Sequence, residues 1–164
     1  MRIYILRHGV AETATAGMSD ADRALVAEGR KKLRAVLGIA KQVGVAPDLI
    51  LTSPYLRAVQ TAEVAAEVLG YQGTTLEIDA LHPGGTPREA WDEIRAHQGY
   101  ESVLVSGHEP LLSSLAAFLL GTPSLWIDLK KGSLMRIDID RAGAEPRGIL
   151  CWHYTPKIAG AGRG

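Results

Sequence analysis

The sequence predicts an α/β protein: a three-layer α/β/α sandwich on a mostly parallel central sheet, closed by a C-terminal β-hairpin. Three observations lead there. Short apolar runs bounded by turn residues read as buried strands, helical periodicities fill the intervals between them, and two strand-like segments flank a turn after the last helix. Strands that alternate with helices pack as a parallel sheet with helices on both faces.

The first strand is read at residues 3–6 (IYIL), and Arg7, His8 and Gly9 follow it. Leu33, Val36, Leu37 and Ala40 then recur at three- and four-residue spacing within residues 28–43, with Gly44 as the C-cap. The start of this helix departs from the usual chemistry. In DRALVAEG, Val26 or Leu25 falls where Ser, Thr, Asp or Asn would cap, with Asp22 as an acceptor further back.

Residues 49–51 make a second strand. Ser53 and Pro54 then suit the N-cap and first position of a helix that carries Ala58, Thr61, Ala62, Ala65, Val68 and Leu69 inward and stops at Gly70. A weaker strand at 76–78 precedes a short helix at 87–97. The fourth strand, 102–105, precedes an apolar helix at 110–120 that Gly121 closes. Residues 134–139 and 148–154, around a turn at 141–146, form the hairpin. Residues 1–156 are expected to be one domain, with 157–164 (KIAGAGRG) a frayed, flexible tail.

Composition narrows the function. At 164 residues, 46% hydrophobic and 22% charged, the chain is an ordinary globular domain. Eighteen Lys and Arg balance eighteen Asp and Glu, with no basic block, so neither nucleic acid nor membrane is an expected partner. Anion recognition must be local. The single cysteine, Cys151, has no internal disulfide partner, and burial beside Trp152 is its expected state. The first apolar run is far shorter than the roughly 7–15 residues of a secretion signal. A cytoplasmic location is the expectation.

In an open α/β sheet, ligands bind beyond the carboxyl ends of the strands. The polar residues there are Arg7 and His8 after the first strand, Thr52, Ser53 and Arg57 after the second, His82 after the third, and Ser106 and His108 after the fourth. Arg57 falls in the first turn of its helix, and His108 just before one. Helix N-termini favour anions, and guanidinium forks match tetrahedral oxyanions, so the site reads as a phosphate pocket. An imidazole between cations has its pKa pushed down and stays neutral, the nucleophilic form. That makes His8 the candidate nucleophile for phosphoryl transfer, with Gly9 removing bulk beside it.

Each residue also has a plain alternative. Arg7-His8 alone is an ordinary strand end, and only Arg57 and His108 in register make it a site. His108 lacks the carboxylate or cysteine neighbours of a metal ligand, so no metal is implied. His82 is divided between loop residue and site residue. His97 and His153 read as surface or hairpin residues. The C-terminal GAGRG follows no parallel strand and precedes no helix, so it is no nucleotide loop.

Arg7-His8-Gly9, SPYLRAVQTA at 53–62 and GHEP at 107–110, in this order at successive strand ends, resemble the three signatures of the histidine phosphatase superfamily. The short length, AE at 11–12 and DRAL at 22–25 most resemble its SixA-type phosphohistidine phosphatases. The resemblance implies that His8 is the nucleophile, that Arg7, Arg57 and His108 bind the phosphoryl group and stabilise its transition state, and that no cofactor is needed. The expected substrate is phosphohistidine on a protein, or a phosphoramidate. The alternatives are a phosphomonoesterase or mutase for a small phosphorylated metabolite, and a non-catalytic phosphate-binding module.

Superfamily members that cleave phosphoesters carry Glu or Asp after the third strand to protonate the leaving alkoxide. This chain reads IDALHPGGTPREAWDE there, with no carboxylate at the strand end. His82 is the candidate proton donor, with Asp79 and Glu12 as lesser ones. A site poor in acid favours phosphoramidates, because imidazole leaves without the ~10²–10⁴-fold help that an alkoxide needs.

Overall fold

The computed structural model describes residues 1–161. Its centre is a six-stranded sheet made of β1 (Arg2–Arg7), β2 (Leu49–Thr52), β3 (Leu76–Glu77), β4 (Ser102–Gly107), β5 (Leu134–Arg141) and β6 (Arg147–Tyr154), in the order β3-β2-β4-β1-β5-β6. The first four strands in that order are parallel. β5 runs antiparallel to β1, and β6 antiparallel to β5. Helices α1 (Ala27–Gln42), α2 (Leu56–Leu69) and α5 (Pro156–Ala161) cover one face, and α3 (Pro87–Ala96) and α4 (Leu111–Leu119) the other.

The two-residue period of a strand divides the core between these layers. Ile3, Ile5, Leu49, Leu51, Val103 and Val105 pack with Trp91, Ile94, Leu112 and Leu115. Tyr4, Leu6, Ile50 and Leu104 pack with Leu33, Leu37, Ala62 and Ala65. Central strands buried on both faces therefore read as unbroken apolar runs, which is how the sequence showed them.

Four details differ from the sequence reading. α2 begins at Leu56, with Tyr55 at the N-cap, two residues later than Ser53 and Pro54 suggested. The Ser53 hydroxyl instead accepts the Tyr55 N–H at 3.3 Å. At α1 the N-cap is Val26 with no side-chain cap, and Asp22 lies in a separate 3₁₀ turn, Asp20–Asp22. Cys151 is exposed, because β6 is an edge strand, and it is Trp152 that stacks, on Tyr4 and Tyr154. Residues 156–161 are a helix rather than a frayed tail, because Ala159 is fully buried against the face that α1 forms. The rest of the expected tail, 162–164, lies outside the described residues.

Close packing joins the end of β1 to α1. The Val26 N–H donates to the Val10 carbonyl at 3.0 Å, and Gly29, in the first turn of α1, lies directly against Val10. A Cβ at Gly29 would stand 2.3 Å from the Val10 oxygen, which is backbone and cannot swing aside. In an open helix Gly→Ala stabilises by about 1 kcal/mol. Here overpacking should reverse the sign, costing about 1–3 kcal/mol. Gly29→Ala is expected to lower the thermal midpoint by about 2–12 °C, read by circular dichroism.

Candidate active site

The sheet register builds the site. Arg7 lies opposite Gly107 and Thr52 opposite Ser106, so β1, β2 and β4 end level with one another. Two backbone hydrogen bonds extend the ladder past the strands, from the His8 N–H to the Gly107 carbonyl and from the Ser53 N–H to the Ser106 carbonyl, both 3.0 Å. β5 is antiparallel, so its first residues arrive at the same edge, where the Arg7 N–H donates to the Ser133 carbonyl at 3.1 Å. Beyond β1 the chain leaves towards one face, and beyond β4 towards the other. The crevice between them holds His8 and His108, whose ring centroids are 5.1 Å apart.

His8 is buried, and its Nδ1 lies 2.7 Å from the Gly9 carbonyl oxygen. A carbonyl can only accept, so Nδ1 carries the proton and Nε2 keeps its lone pair. Gly9 is fixed in turn, because its N–H donates to Thr61 Oγ1 at 3.2 Å and that hydroxyl donates to the Arg57 carbonyl at 2.7 Å. A Cβ on Gly9 would meet Leu33 Cδ1 at 2.8 Å and the Gly29 carbonyl oxygen at 3.2 Å, so a larger residue here would make Leu33 of α1 shift. His108 is also buried, with Nε2 at 2.7 Å from Ser53 Oγ and the Tyr55 ring edge-on at 5.3 Å.

Two guanidinium groups stand beside the imidazoles. Arg7 Nη1 donates to the Leu129 carbonyl at 2.7 Å. Arg57 is held from the far side by Asp20, with Nη1 on the Asp20 carbonyl at 2.7 Å and Nη2 on its carboxylate at 3.0 Å. The Arg57 guanidinium also lies 5.2 Å from the Tyr55 ring centroid. Arg7 Nε, Arg57 Nε and His108 Nδ1 are buried without any hydrogen-bond partner. Three buried polar nitrogens from three elements, left unpaired, mark a place where an anion would satisfy them.

Asp20 has no signature in the sequence. It lies 37 residues from Arg57, on an irregular segment that Arg23 secures by donating from Nε to the Glu12 carbonyl and from Nη1 to the Asp20 carboxylate, each at 2.8 Å. Arg23 and then Arg57 hold the Asp20 carboxyl below its ordinary pKa, against a small burial penalty. His82 stands elsewhere. Its Nδ1 accepts the Gly84 N–H at 2.9 Å, and it lines a separate cavity with Asp79, Ala80, Glu89, Asp92 and Glu93. Among the described residues no hydrogen bond or ring contact joins it to His8, Arg57 or His108.

The chain is similar to known proteins over most of its length. The family model of the histidine phosphatase superfamily (branch 1) matches residues 3–81, which include Arg7, His8 and Arg57. The chain is 29% identical over 160 residues to phosphohistidine phosphatase SixA of Escherichia coli, covering 95% of this chain and 94% of the relative. It is 33% identical over 148 residues to an uncharacterised protein of Picosynechococcus sp., covering 88% and 87%. The solved structure of the protein histidine phosphatase SixA complexed with tungstate matches with a TM-score of 0.84 at 30% identity, covering 96% of this chain and 98% of that one.

Electrostatics set the protonation state. His8 is pushed from 6.5 down to about 4, first by burial and then by Arg57, Arg7 and Lys131, against the Gly9 hydrogen bond. Burial is the larger cause, where the sequence pointed to neighbouring cations. His108 is pushed down to about 3 by burial, then by His8, Arg57 and Arg7. Both rings are therefore neutral at pH 7. The unfolded chain takes up these protons near 6.5 and the folded chain does not, so their contribution to stability is complete above 6.5 and declines as the pH falls towards 4 and 3. An NMR titration should show the His8 ring uncharged until about pH 4. A midpoint near 6.5 would refute the buried, neutral state.

Proposed function

The chain belongs to the histidine phosphatase superfamily, and on that premise we propose that it removes phosphoryl groups from phosphohistidine through a covalent intermediate on His8. The hydrogen bond from His8 Nδ1 to the Gly9 carbonyl is the observation that carries this reading, because it leaves Nε2 unprotonated beside unpaired guanidinium and imidazole nitrogens.

In the first step the Nε2 lone pair forms a bond to phosphorus while the bond from phosphorus to the substrate imidazole breaks. The leaving nitrogen retains that electron pair, and because the substrate ring takes a proton from solvent on its other nitrogen, it departs as neutral imidazole. Arg7, Arg57 and His108 hold the phosphoryl oxygens and balance their charge. His108 Nε2 lies 2.7 Å from the Ser53 hydroxyl, and a phosphoryl oxygen at Nδ1, the buried nitrogen with no protein partner, would draw the His108 proton there. Phosphorylated His8 still carries its Nδ1 proton and is therefore cationic, and the Gly9 carbonyl stabilises that charge. A ring of such low basicity is a good leaving group. In the second step water attacks phosphorus, the bond to Nε2 breaks, the pair returns to the ring, the water's proton goes to solvent, and inorganic phosphate departs.

The nearby carboxylates support a phosphoramidate substrate. Asp20 is held ionised by Arg23 and Arg57 and so has no proton to give at neutral pH. Glu109 is occupied by the Ser113 N–H at 2.8 Å, and Glu12 by the Ala24 N–H at 3.0 Å. An imidazole leaving group needs no donor, whereas an alkoxide forgoes about 10²–10⁴-fold, or ~2.7–5.5 kcal/mol.

Two measurements test this. Phosphoramidate should be hydrolysed with a kcat/KM at least about 10²-fold above that for an alkyl phosphate. His8→Ala should abolish turnover of both while vanadate binding persists, and rapid quench of the wild type should trap phospho-His8. Preference for the alkyl ester would favour the phosphomonoesterase reading, and tight vanadate binding without any phospho-His8 the binding module. Asp20→Ala should leave Arg57 unconstrained and lower kcat about tenfold, since a misplaced fork costs more in the transition state than in the ground state. A change in KM alone would reduce Asp20 to a substrate contact.

A further inference from the structure

We infer that the phosphohistidine is presented by a polypeptide with acidic residues beside it, and that a lysine-rimmed groove next to Arg7 docks that acidic stretch. This rests on the phosphohistidine reading above and adds what the substrate must look like outside the phosphoryl group.

The groove has a volume of about 750 Å³ and includes Arg7 in its wall, so it borders the site at that residue. That is within the range of roughly 300–1,000 Å³ that takes whole drug-sized ligands, far beyond one phosphorylated imidazole. Three separate pieces of chain bring its cations together: Lys32 from α1, Lys130 and Lys131 from the segment before β5, and Lys157 from α5. Against these four lysines and Arg7 the lining offers one carboxylate, Asp128, which already lies 2.8 Å from Lys130 Nζ. Among the described residues Lys32, Lys131 and Lys157 form no ion pair. The whole chain is neutral, so this excess is a local concentration of charge.

The choice of lysine identifies the occupant. A small metabolite with a second fixed oxyanion is best held by a planar guanidinium fork, whereas lysines are hydrated, flexible point charges that accept carboxylates in many geometries. All four lysines are exposed, so each can follow a side chain that varies in position. Val10, Pro156 and Ile158 supply an apolar floor for the backbone and stems of the bound segment. Exposed charges of this kind act mainly on encounter rate and orientation, and their effect falls with salt.

The probes are two peptides of equal length phosphorylated on one histidine, one flanked by Asp and Glu and one by Ser and Ala, together with phosphoramidate itself. At low ionic strength the acidic peptide should show a kcat/KM at least tenfold higher, with the difference closing towards 1 M salt, where the Debye length is about 3 Å. Lys32→Glu with Lys157→Glu should abolish or invert the preference and leave phosphoramidate turnover within twofold. Lys32→Ser with Lys157→Ser should abolish it without adding charge. Lys41→Glu, in the last turn of α1, should preserve it. Equal rates on the two peptides would overturn the inference. So would lysine variants that slow phosphoramidate as much as peptide, or a Lys41 variant that erases the preference equally. Failure of the underlying reading looks different: no phosphoramidate turnover at all by the wild type.

Discussion

The site depends on the register between β1 and β4. Pairing Arg7 with Gly107 places the residues that follow, His8 and His108, side by side, and the hydrogen bond from the His8 N–H to the Gly107 carbonyl locks them there. A slip of one residue would turn each of these side chains to the opposite face of the sheet. Such a slip would also put Ile3 and Ile5 on the α1 and α2 side and expel Tyr4 and Leu6 from it. Core packing on both faces therefore enforces a register that the chemistry requires. The large burial energies of the two clusters, of the order of 1.5–3 kcal/mol for each large side chain, fix the position of two imidazoles.

Burial then gives those imidazoles their character. Two neutral rings among two guanidinium groups are stable because the protein excludes the water that would help to charge them, and because the neighbouring cations oppose a further positive charge. What the arrangement leaves unpaired is a set of buried nitrogens on Arg7, Arg57 and His108. The cost of keeping buried nitrogens without partners is a reservoir that an oxyanion relieves, and the relief is greatest for the oxyanion with most charge on its equatorial oxygens. In the proposed mechanism, low basicity in His8 weakens it as a nucleophile and improves it as a leaving group, a compromise suited to a two-step transfer.

The segment between β1 and α1 has a second task besides connection. Through Asp20, Arg23 and Glu12 it brings a carboxylate to the Nη groups of Arg57 and leaves the Arg57 Nε without a partner. On the opposite flank, α5 and the segment before β5 extend the positive surface away from Arg7. The phosphoryl pocket is thus a small, rigid centre between a negative clasp and a positive shelf, both contributed by irregular or terminal pieces of chain. Function in α/β folds collects on such pieces because the sheet holds their ends still.

Much of this was determined by the sequence alone. The strands and most helix ends followed from apolar periodicity and glycine stops, as at Gly44 and Gly70, whose positive φ confirms the caps. Arg7, His8, Arg57 and His108 were legible because Arg7 ends β1, His8 and His108 directly follow β1 and β4, and Arg57 lies in the first turn of the helix after β2, where local order and topology together fix position. Asp20 was not legible, since its partner is 37 residues away and nothing in the polar run SDAD at 19–22 distinguishes one aspartate from the other. His82 follows a strand as the others do, yet β3 is the sheet edge and its loop turns the ring to its own backbone and a separate cavity. The tail looked too rich in glycine to order, but Ala159 found a buried place against α1. Sequence pattern records what each residue contributes to its own element. Tertiary structure decides what depends on packing between elements distant in the chain, which is where the clasp on Arg57, the pairing of His108 with Ser53 and the lysine groove arise.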